Sequence, residues 1–339
     1  MRRATTPRIR HLPHNKKVPY DAILIVSFGG PEAVPEVIPF LENVLRGRNV
    51  PRERLLAVAE HYYHFGGRSP INGHCRELIA ALQKEIALPV YWGNRNWHPM
   101  LADTVRQMAA DGVRRALAIA TSAYASYSGC RQYIEDIVKA RALVDQSVGE
   151  SAPEIDKLPP FCDHPLFLQA NVERVGDALA RVPVERRAAA SLVFTAHSIP
   201  ASMAATCRYE EQLLHTARHV SKAVEHDEWD LVWQSRSGPP GQPWLEPDIL
   251  DRLRVLAENG VKTVVAAPIG FLSDHMEVMY DLDVEAAQRC AALGIEFVRA
   301  QTVGTHPAVI RMLCELIEDR QSGRTTDLCA TDCCPPPRR

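Results

Sequence analysis

The sequence predicts an α/β protein made of two Rossmann-like lobes, each a doubly wound parallel sheet. Three observations carry this. Short apolar runs closed by Gly, Pro or polar turns alternate with amphipathic stretches of helical period. The alternation runs through the chain twice. At 339 residues the chain is long enough for one large or two medium domains with a real core. Strands alternating with helices favour parallel sheets with right-handed crossovers, and such sheets bind ligands beyond the carboxyl ends of their strands.

In the first half, DAILIVSFGGPE (Asp21 to Glu32) reads as a buried strand ending in a Gly-Gly-Pro turn. VPEVIPFLENVLRG is helical despite its prolines. Leu78 to Leu88 is an amphipathic helix, PVYWGNRNW a second strand, and Thr104 to Met108 lies in a helix. RALAIATSAYASY is a third strand. The stretch from Gln146 to Pro165, rich in Pro, Ser and acids, reads as the link between halves.

In the second half, Leu168 to Arg181 is a helix and SLVFTAHS a strand; Glu210 to Glu225 is a helix and DLVWQS a strand. SGPPGQPWLEP is a loop, and DILDRLRVLAENG a helix stopped by its Gly. KTVVAAPIGF is a strand, His275 to Gly294 a helix, IEFVRAQ the last strand, and His306 to Arg320 the last helix.

The composition, 46% hydrophobic and 24% charged, is that of an ordinary globular protein. A net charge of -2 gives no reason to expect nucleic acid or an anionic membrane surface as partner. No apolar run is long enough for an integral membrane segment. The basic N-terminus lacks the apolar core of a signal peptide, so a cytoplasmic location is expected. Neither the G-x-G-x-x-G fingerprint nor a P-loop follows the first strand, which weakens a nucleotide-binding reading.

Two features point to chemistry. His197 ends the apolar strand SLVFTAH, where an α/β sheet presents side chains to a cleft. Its imidazole accepts a proton or binds a metal near neutral pH, although a satisfied strand-end histidine would read the same way. Glu277, Asp281 and Glu285 recur every four residues in MEVMYDLDVEAA, an acidic stripe on one helix face. A solvated face accounts for such a stripe; so does a row of oxygen ligands for a hard cation in transit.

FTAHSIP, WQSRSGPPGQPWLEPDI and PIGFLSDHMEVMYDLDVEA, in this order, resemble the ferrochelatase family. SFGGPE, HYYHFGGRSPIN, YWGNRNWHP and TSAYASYSG in the first half are similar to the same family, so the resemblance runs from about Tyr20 to Arg320. It implies a chelatase fold with a porphyrin cleft between the lobes, and insertion of Fe2+ without redox change. The implied organisation is a lead at 1–19, a first lobe at 20–165, a second at 166–304, a helix at 305–321 returning to the first lobe, and a Cys-rich tail at 322–339.

The resemblance assigns roles by position. His197 and Glu277 match the catalytic and Fe2+-binding pair, and Asp281 and Glu285 a path for metal or protons. Ser69 matches a propionate contact; Tyr127 and Tyr133 both fit a further porphyrin contact. Phe28 departs from some Gram-positive relatives, where a tyrosine reaches the iron axially; a phenyl ring packs on the porphyrin face only. Arg68 and His61 read as ordinary loop and helix residues, and Trp244, Pro243 and Pro247 as a stiff rim loop.

The tail CATDCC holds Cys329, Cys333 and Cys334, without the paired spacing of structural zinc. A [2Fe–2S] cluster needs a fourth thiolate. Cys162 is the candidate, and the resemblance supports it, since actinobacterial and animal relatives pair one internal cysteine with three near the C-terminus. The other cysteines read as small apolar residues. The expected function is thus a monomeric ferrochelatase acting on coproporphyrin III, with protoporphyrin IX as the alternative. A cobalt or nickel chelatase and a porphyrin carrier without turnover are the rivals. An iron donor and an enzyme accepting coproheme are the expected partners.

Overall fold

The computed structural model describes residues 19–47, 50–146, 151–238, 241–325 and 333–336. Two four-stranded parallel sheets form the frame. The first contains β1 (Ala22–Ser27), β2 (Val90–Asn94), β3 (Arg115–Ala120) and β4 (Glu154–Lys157), in the order β2-β1-β3-β4. The second contains β5 (Ser191–His197), β6 (Trp229–Gln234), β7 (Thr263–Ala267) and β8 (Glu296–Arg299), in the order β6-β5-β7-β8. The topology is one plan used twice. In each sheet the first strand is central and the chain then visits its two sides in turn, so the crevice opens at the carboxyl ends of β1 and β5. Helices cover both faces, which is why every residue of β1 and of β7 is buried.

The segment read as a link contains β4. It pairs with β3 from Arg115↔Glu154 to Ala118↔Lys157. Its sequence, EIDK, is polar because an edge strand carries charge that discourages further pairing. Asp156 anchors it, accepting from Tyr20 Oη at 2.9 Å and from Arg115 Nη2 at 2.7 Å.

Helices Arg52–His64 and Gln132–Asp145 were not read from the sequence. Their buried faces, Leu55, Ala59 and Tyr62 in one and Tyr133, Ile137, Ala140 and Val144 in the other, follow helical spacing. Helix Ile71–Glu85 starts earlier than expected. The expected single helix from His275 to Gly294 is broken into a turn at Met276–Val278, a π-wound stretch at Met279–Ala286 and an α-helix at Ala287–Leu293, closed by Gly294 in the left-handed region. Such π-wound insertions often mark functional sites.

The main core runs through both lobes and includes Ile23, Leu117, Phe167, Leu192, Phe194 and Leu313. Helix Pro307–Ser322 packs on helix Pro165–Ala180 and on helix Ile71–Glu85 of the first lobe. Arg320 at its end donates to Tyr20 Oη at 3.3 Å. A small separate core under helices Val37–Val44 and Arg52–His64 gathers Phe40, Leu55, Ala59 and Tyr62 and takes in Met276 from the second lobe. Arg54 donates across to Ser237 O at 2.9 Å, so this helical lip touches both walls of the crevice.

Candidate active site

His197 is the last residue of β5. Both its ring and its backbone are held. Nδ1 meets the carbonyl of Ser198, and its own carbonyl accepts from Tyr209 Oη at 3.1 Å. That leaves Nε2 facing the crevice, 3.5 Å from Glu277 Oε2, with side chains 30% and 49% exposed. The groups face a cleft rather than a packed interior. Burial disfavours the imidazolium, but the Glu277 carboxylate outweighs it and raises His197 above its ordinary value. Burial also acts against the Glu277 carboxylate, yet the His197 hydrogen bond and the charges of His197, His275 and His61 hold it at about 2.

Asp281 is buried deeper. Burial raises its carboxyl to about 7, with Glu277 and Glu285 adding to the effect and the Ser235 hydroxyl opposing it. It accepts from Ser235 Oγ and, at 3.2 Å, from Gln234 Nε2. Gln234 is itself set by Thr195 Oγ1 at 2.8 Å, so the ends of β5 and β6 position the carboxyl. Burial raises Glu285 as well, and the next charge felt there is Asp248. The carboxyls thus divide into two kinds: Glu277 is held ionised beside His197, whereas Asp281 and Glu285, farther along, are easier to protonate than an ordinary carboxyl.

Arg299 of β8 pins this segment. It reaches Asp274 before the π-wound stretch at 3.1 Å and Asp283 within it at 2.6 Å.

Phe28 stands past the end of β1 with 38% of its surface exposed, edge-on to Phe40 at 6.4 Å. Arg95 lies over the rings of Phe28 and Tyr133 and pairs with Asp136 at 2.6 Å. The two tyrosines separate clearly. Tyr133 belongs to the buried core, whereas Tyr127 is half-buried and donates to Glu135 at 3.0 Å. Ser69 is only 4% exposed and packs against Gly30, where an added Cβ would lie 2.9 Å from its Oγ. Arg68 is exposed and donates to Glu32 O at 3.2 Å. Trp244 packs on Gly238 and bridges to Pro200, and Pro243 O accepts from Ala201 N at 3.0 Å, so the rim loop is tied to the segment after His197. Pro247 O accepts from Trp233 N at 3.0 Å.

Four contributors, His61, His275, Gln234 and Ser235, have no role that the sequence alone assigns. His61 stacks on Tyr280 at 3.7 Å, joining the lip helix to the π-wound stretch. His275 lies within electrostatic reach of both Glu277 and His197, and burial lowers it. Gln234 and Ser235 hold Asp281. Only a fold that brings β6, the lip and the π-wound stretch together makes these residues neighbours.

Of the tail cysteines, Cys329 lies outside the described residues. Cys333 Sγ and Cys334 Sγ are 3.5 Å apart, and Cys334 packs with Ala125, Cys130, Cys207 and Cys333. Cys162 lies in the main core with Phe161 and Phe167, its thiol pushed up to about 12 by burial and Asp163. Among the described residues, no three His, Cys, Asp or Glu side chains are grouped to hold a metal ion. No helix among them is long and apolar enough to cross a membrane.

The family profile described as Ferrochelatase matches residues 20–321. A protein named Ferrochelatase from Rhodopirellula baltica is 52% identical, over 93% of each chain. Proteins named Coproporphyrin III ferrochelatase are 52% identical in Mycolicibacterium smegmatis, over 90% of this chain and 91% of that one, and 50% identical in Nocardia farcinica, over 94% and 97%. The solved structure of SirB from Bacillus subtilis with Fe3+ superposes with a TM-score of 0.57 at 13% identity, over 91% of this chain and 98% of that one. At that identity the likeness establishes the chelatase fold alone.

Proposed function

Because the chain belongs to the ferrochelatase family and is a metal chelatase of the lyase class, we propose that it inserts Fe2+ into coproporphyrin III to give coproheme. The observation that carries this reading is the His197–Glu277 pair at the crevice opened by β5. The names of the relatives at 50% identity and above support coproporphyrin III over protoporphyrin IX.

Insertion replaces two pyrrole N–H protons by one Fe2+, so two protons leave the macrocycle. A neutral His197 holds the incoming ion or takes a proton through Nε2, the ring nitrogen that the Ser198 carbonyl leaves available. Glu277, held ionised, supplies the anionic oxygen that Fe2+ favours and steadies the imidazolium once His197 is protonated. Asp281 and then Glu285 accept protons more readily and carry them away from the crevice. Phe28 offers a face for the macrocycle to pack on. Tyr127, half-buried where Tyr133 is fully buried, is the better placed of the two tyrosines for a propionate contact, and Ser69 contributes to that wall.

A [2Fe–2S] cluster on Cys329, Cys333, Cys334 and one internal thiolate belongs to the same proposal. The 3.5 Å between the sulfurs of Cys333 and Cys334 fits it. Two thiolates each ~2.3 Å from a tetrahedral ion stand roughly 3.8 Å apart. A bound cluster supplies one-electron capacity, and insertion, which leaves the iron ferrous, draws on none of it.

The test is anaerobic insertion of Fe2+ into coproporphyrin III and protoporphyrin IX, with His197→Ala in parallel. Faster turnover of coproporphyrin III, lost in the variant, is expected. Faster turnover of protoporphyrin IX overturns the substrate, and tight porphyrin binding without turnover overturns the reaction.

A further inference from the structure

We propose that Tyr209 is a positioning residue for His197, and that through it the first lobe holds the end of β5. The inference rests on the reading that His197 acts in insertion, and it names what keeps that residue in place.

β5 outruns one of its two neighbours. Its pairing with β6 continues to His197↔Gln234, whereas its pairing with β7 stops at Phe194↔Ala267. Gly270 N, past the end of β7, still donates to Thr195 O at 3.1 Å. The carbonyl of His197, two residues on, points to the same side of the strand, where β7 no longer runs. Tyr209 Oη takes that place and donates to the carbonyl at 3.1 Å. A side chain thus completes the ladder at the residue where the sheet delivers its imidazole to the crevice. Without the hydroxyl, the carbonyl loses its partner beside a buried ring, and the strand end is free to shift.

The second observation is what holds Tyr209. It opens helix Tyr209–Ala223, is 6% exposed and belongs to the main core rather than to the crevice wall. Its ring meets Trp233 of β6 at 6.0 Å and, edge-on at 6.2 Å, Tyr124 of the first lobe. Tyr124 follows β3 and is pinned across the lobes, its hydroxyl donating to Ile269 O at 3.0 Å. The next residue, Ala125, donates from its backbone N–H to Gln212 Oε1 at 2.7 Å, in the first turn of the same helix. The segment leaving β3 therefore grips that turn at two points, the Tyr209 ring and the Gln212 amide. His197 Nε2 stands 3.5 Å from Glu277, and a misplacement of about 1 Å costs roughly 10²-fold in rate. The packing of the lobes and the placing of His197 are in this way one mechanical unit.

The experiment measures steady-state insertion of Fe2+ into coproporphyrin III by the full-length wild type, Tyr209→Phe, Gln212→Ala and the double variant. Heteronuclear NMR spectra of protein labelled in its histidine rings are recorded beside it, with the His197 signal assigned from its absence in His197→Ala. Tyr209→Phe keeps the ring and removes one hydroxyl. It is expected to lower kcat about 10-fold, to leave KM for the porphyrin unchanged and to shift the His197 signal. Gln212→Ala is expected to do the same more weakly, and the double variant to be no slower than Tyr209→Phe, because both act along one path. Either an unchanged kcat or an unmoved His197 signal in Tyr209→Phe overturns the positioning role. So does a fall in kcat matched by a rise in KM for the porphyrin, which marks a deformed cleft. Losses that multiply in the double variant overturn the first lobe's part. If Tyr209→Phe does not fold, Gln212→Ala decides by the same readouts. A wild type that binds porphyrin without turnover overturns the insertion reading instead, and the His197 signal then decides the positioning role by itself.

Discussion

Glu277 Oε2 lies 3.5 Å from His197 Nε2, although one residue ends β5 and the other opens the segment after β7. The pair is set by topology: β5 and β7 are neighbours in the sheet, so the segments leaving their carboxyl ends emerge side by side. Each side chain favours the charged state of the other.

Glu277→Gln is expected to cut kcat/KM by about 10²–10⁴-fold, the range for a positioned acid–base group. The pH profile separates roles. An imidazole must be neutral to ligate or accept a proton, so the rate falls as pH drops through the His197 pKa, which Glu277 holds above its ordinary value. Removing the carboxylate moves that acid limb to lower pH. An unmoved limb in steady-state kinetics means that His197 is not the titrating group.

Glu277 also makes stability pH-dependent. Its pKa falls from 4.5 to about 2 on folding, so its contribution is present above about pH 4.5 and is lost as pH falls toward 2. Glu277→Gln is expected to flatten that part of the acid melting curve. Scanning calorimetry between pH 5 and 2 checks this.

Asp281 has the opposite sign. Its folded pKa of about 7 lies above the ordinary 3.8, so the folded state retains the proton and wild type loses stability as pH rises from 3.8 to 7. Asp281→Asn has no such loss. The Tm of the variant relative to wild type is expected to climb up to about pH 7 and stay level beyond. A Tm difference independent of pH between 4 and 8 contradicts the raised carboxyl.

Much of this arrangement was legible in the sequence. In the nineteen-residue stretch from His275 to Leu293 the acidic spacing is visible in the sequence, but the division into α and π turns is not, because local propensity does not register an extra residue per turn. EIDK looked like linker because an edge strand shows no alternating apolar face. HYYH does not announce its helix, since the Leu55, Ala59 and Tyr62 face is small and covers only the lip. His197 and Glu277 stood out by position; Gln234, Ser235 and Tyr280 are ordinary residues until the fold makes them neighbours.

The tyrosines offer a test of that limit. Tyr133 is core, so Tyr133→Ala is expected to cost about 3–5 kcal/mol of stability, as for other large buried aromatics. Tyr127→Phe removes only a hydroxyl bonded to Glu135 and is expected to leave stability within about 1 kcal/mol while raising KM for porphyrin. Denaturant melts and steady-state kinetics on both variants check the assignment; a KM effect confined to a stably folded Tyr133→Phe would reverse it.

Arg299 carries the last prediction. Its guanidinium holds Asp274 and Asp283 at 3.1 and 2.6 Å, with 17% of the arginine side chain exposed. Replacing it by Met keeps the apolar stem and leaves two carboxylates facing each other. The cost lies between that of an exposed and a buried pair, about 1–3 kcal/mol. Because Asp274 precedes Glu277 and Asp283 follows it, the same change loosens the segment that carries Glu277. Arg299→Met is therefore expected to lower kcat more than it raises KM, while Arg299→Lys, which keeps a charge but loses the fork, recovers part of the stability and less of the rate. Equal recovery of both by lysine means that charge alone, and not the two-armed grip, positions Glu277.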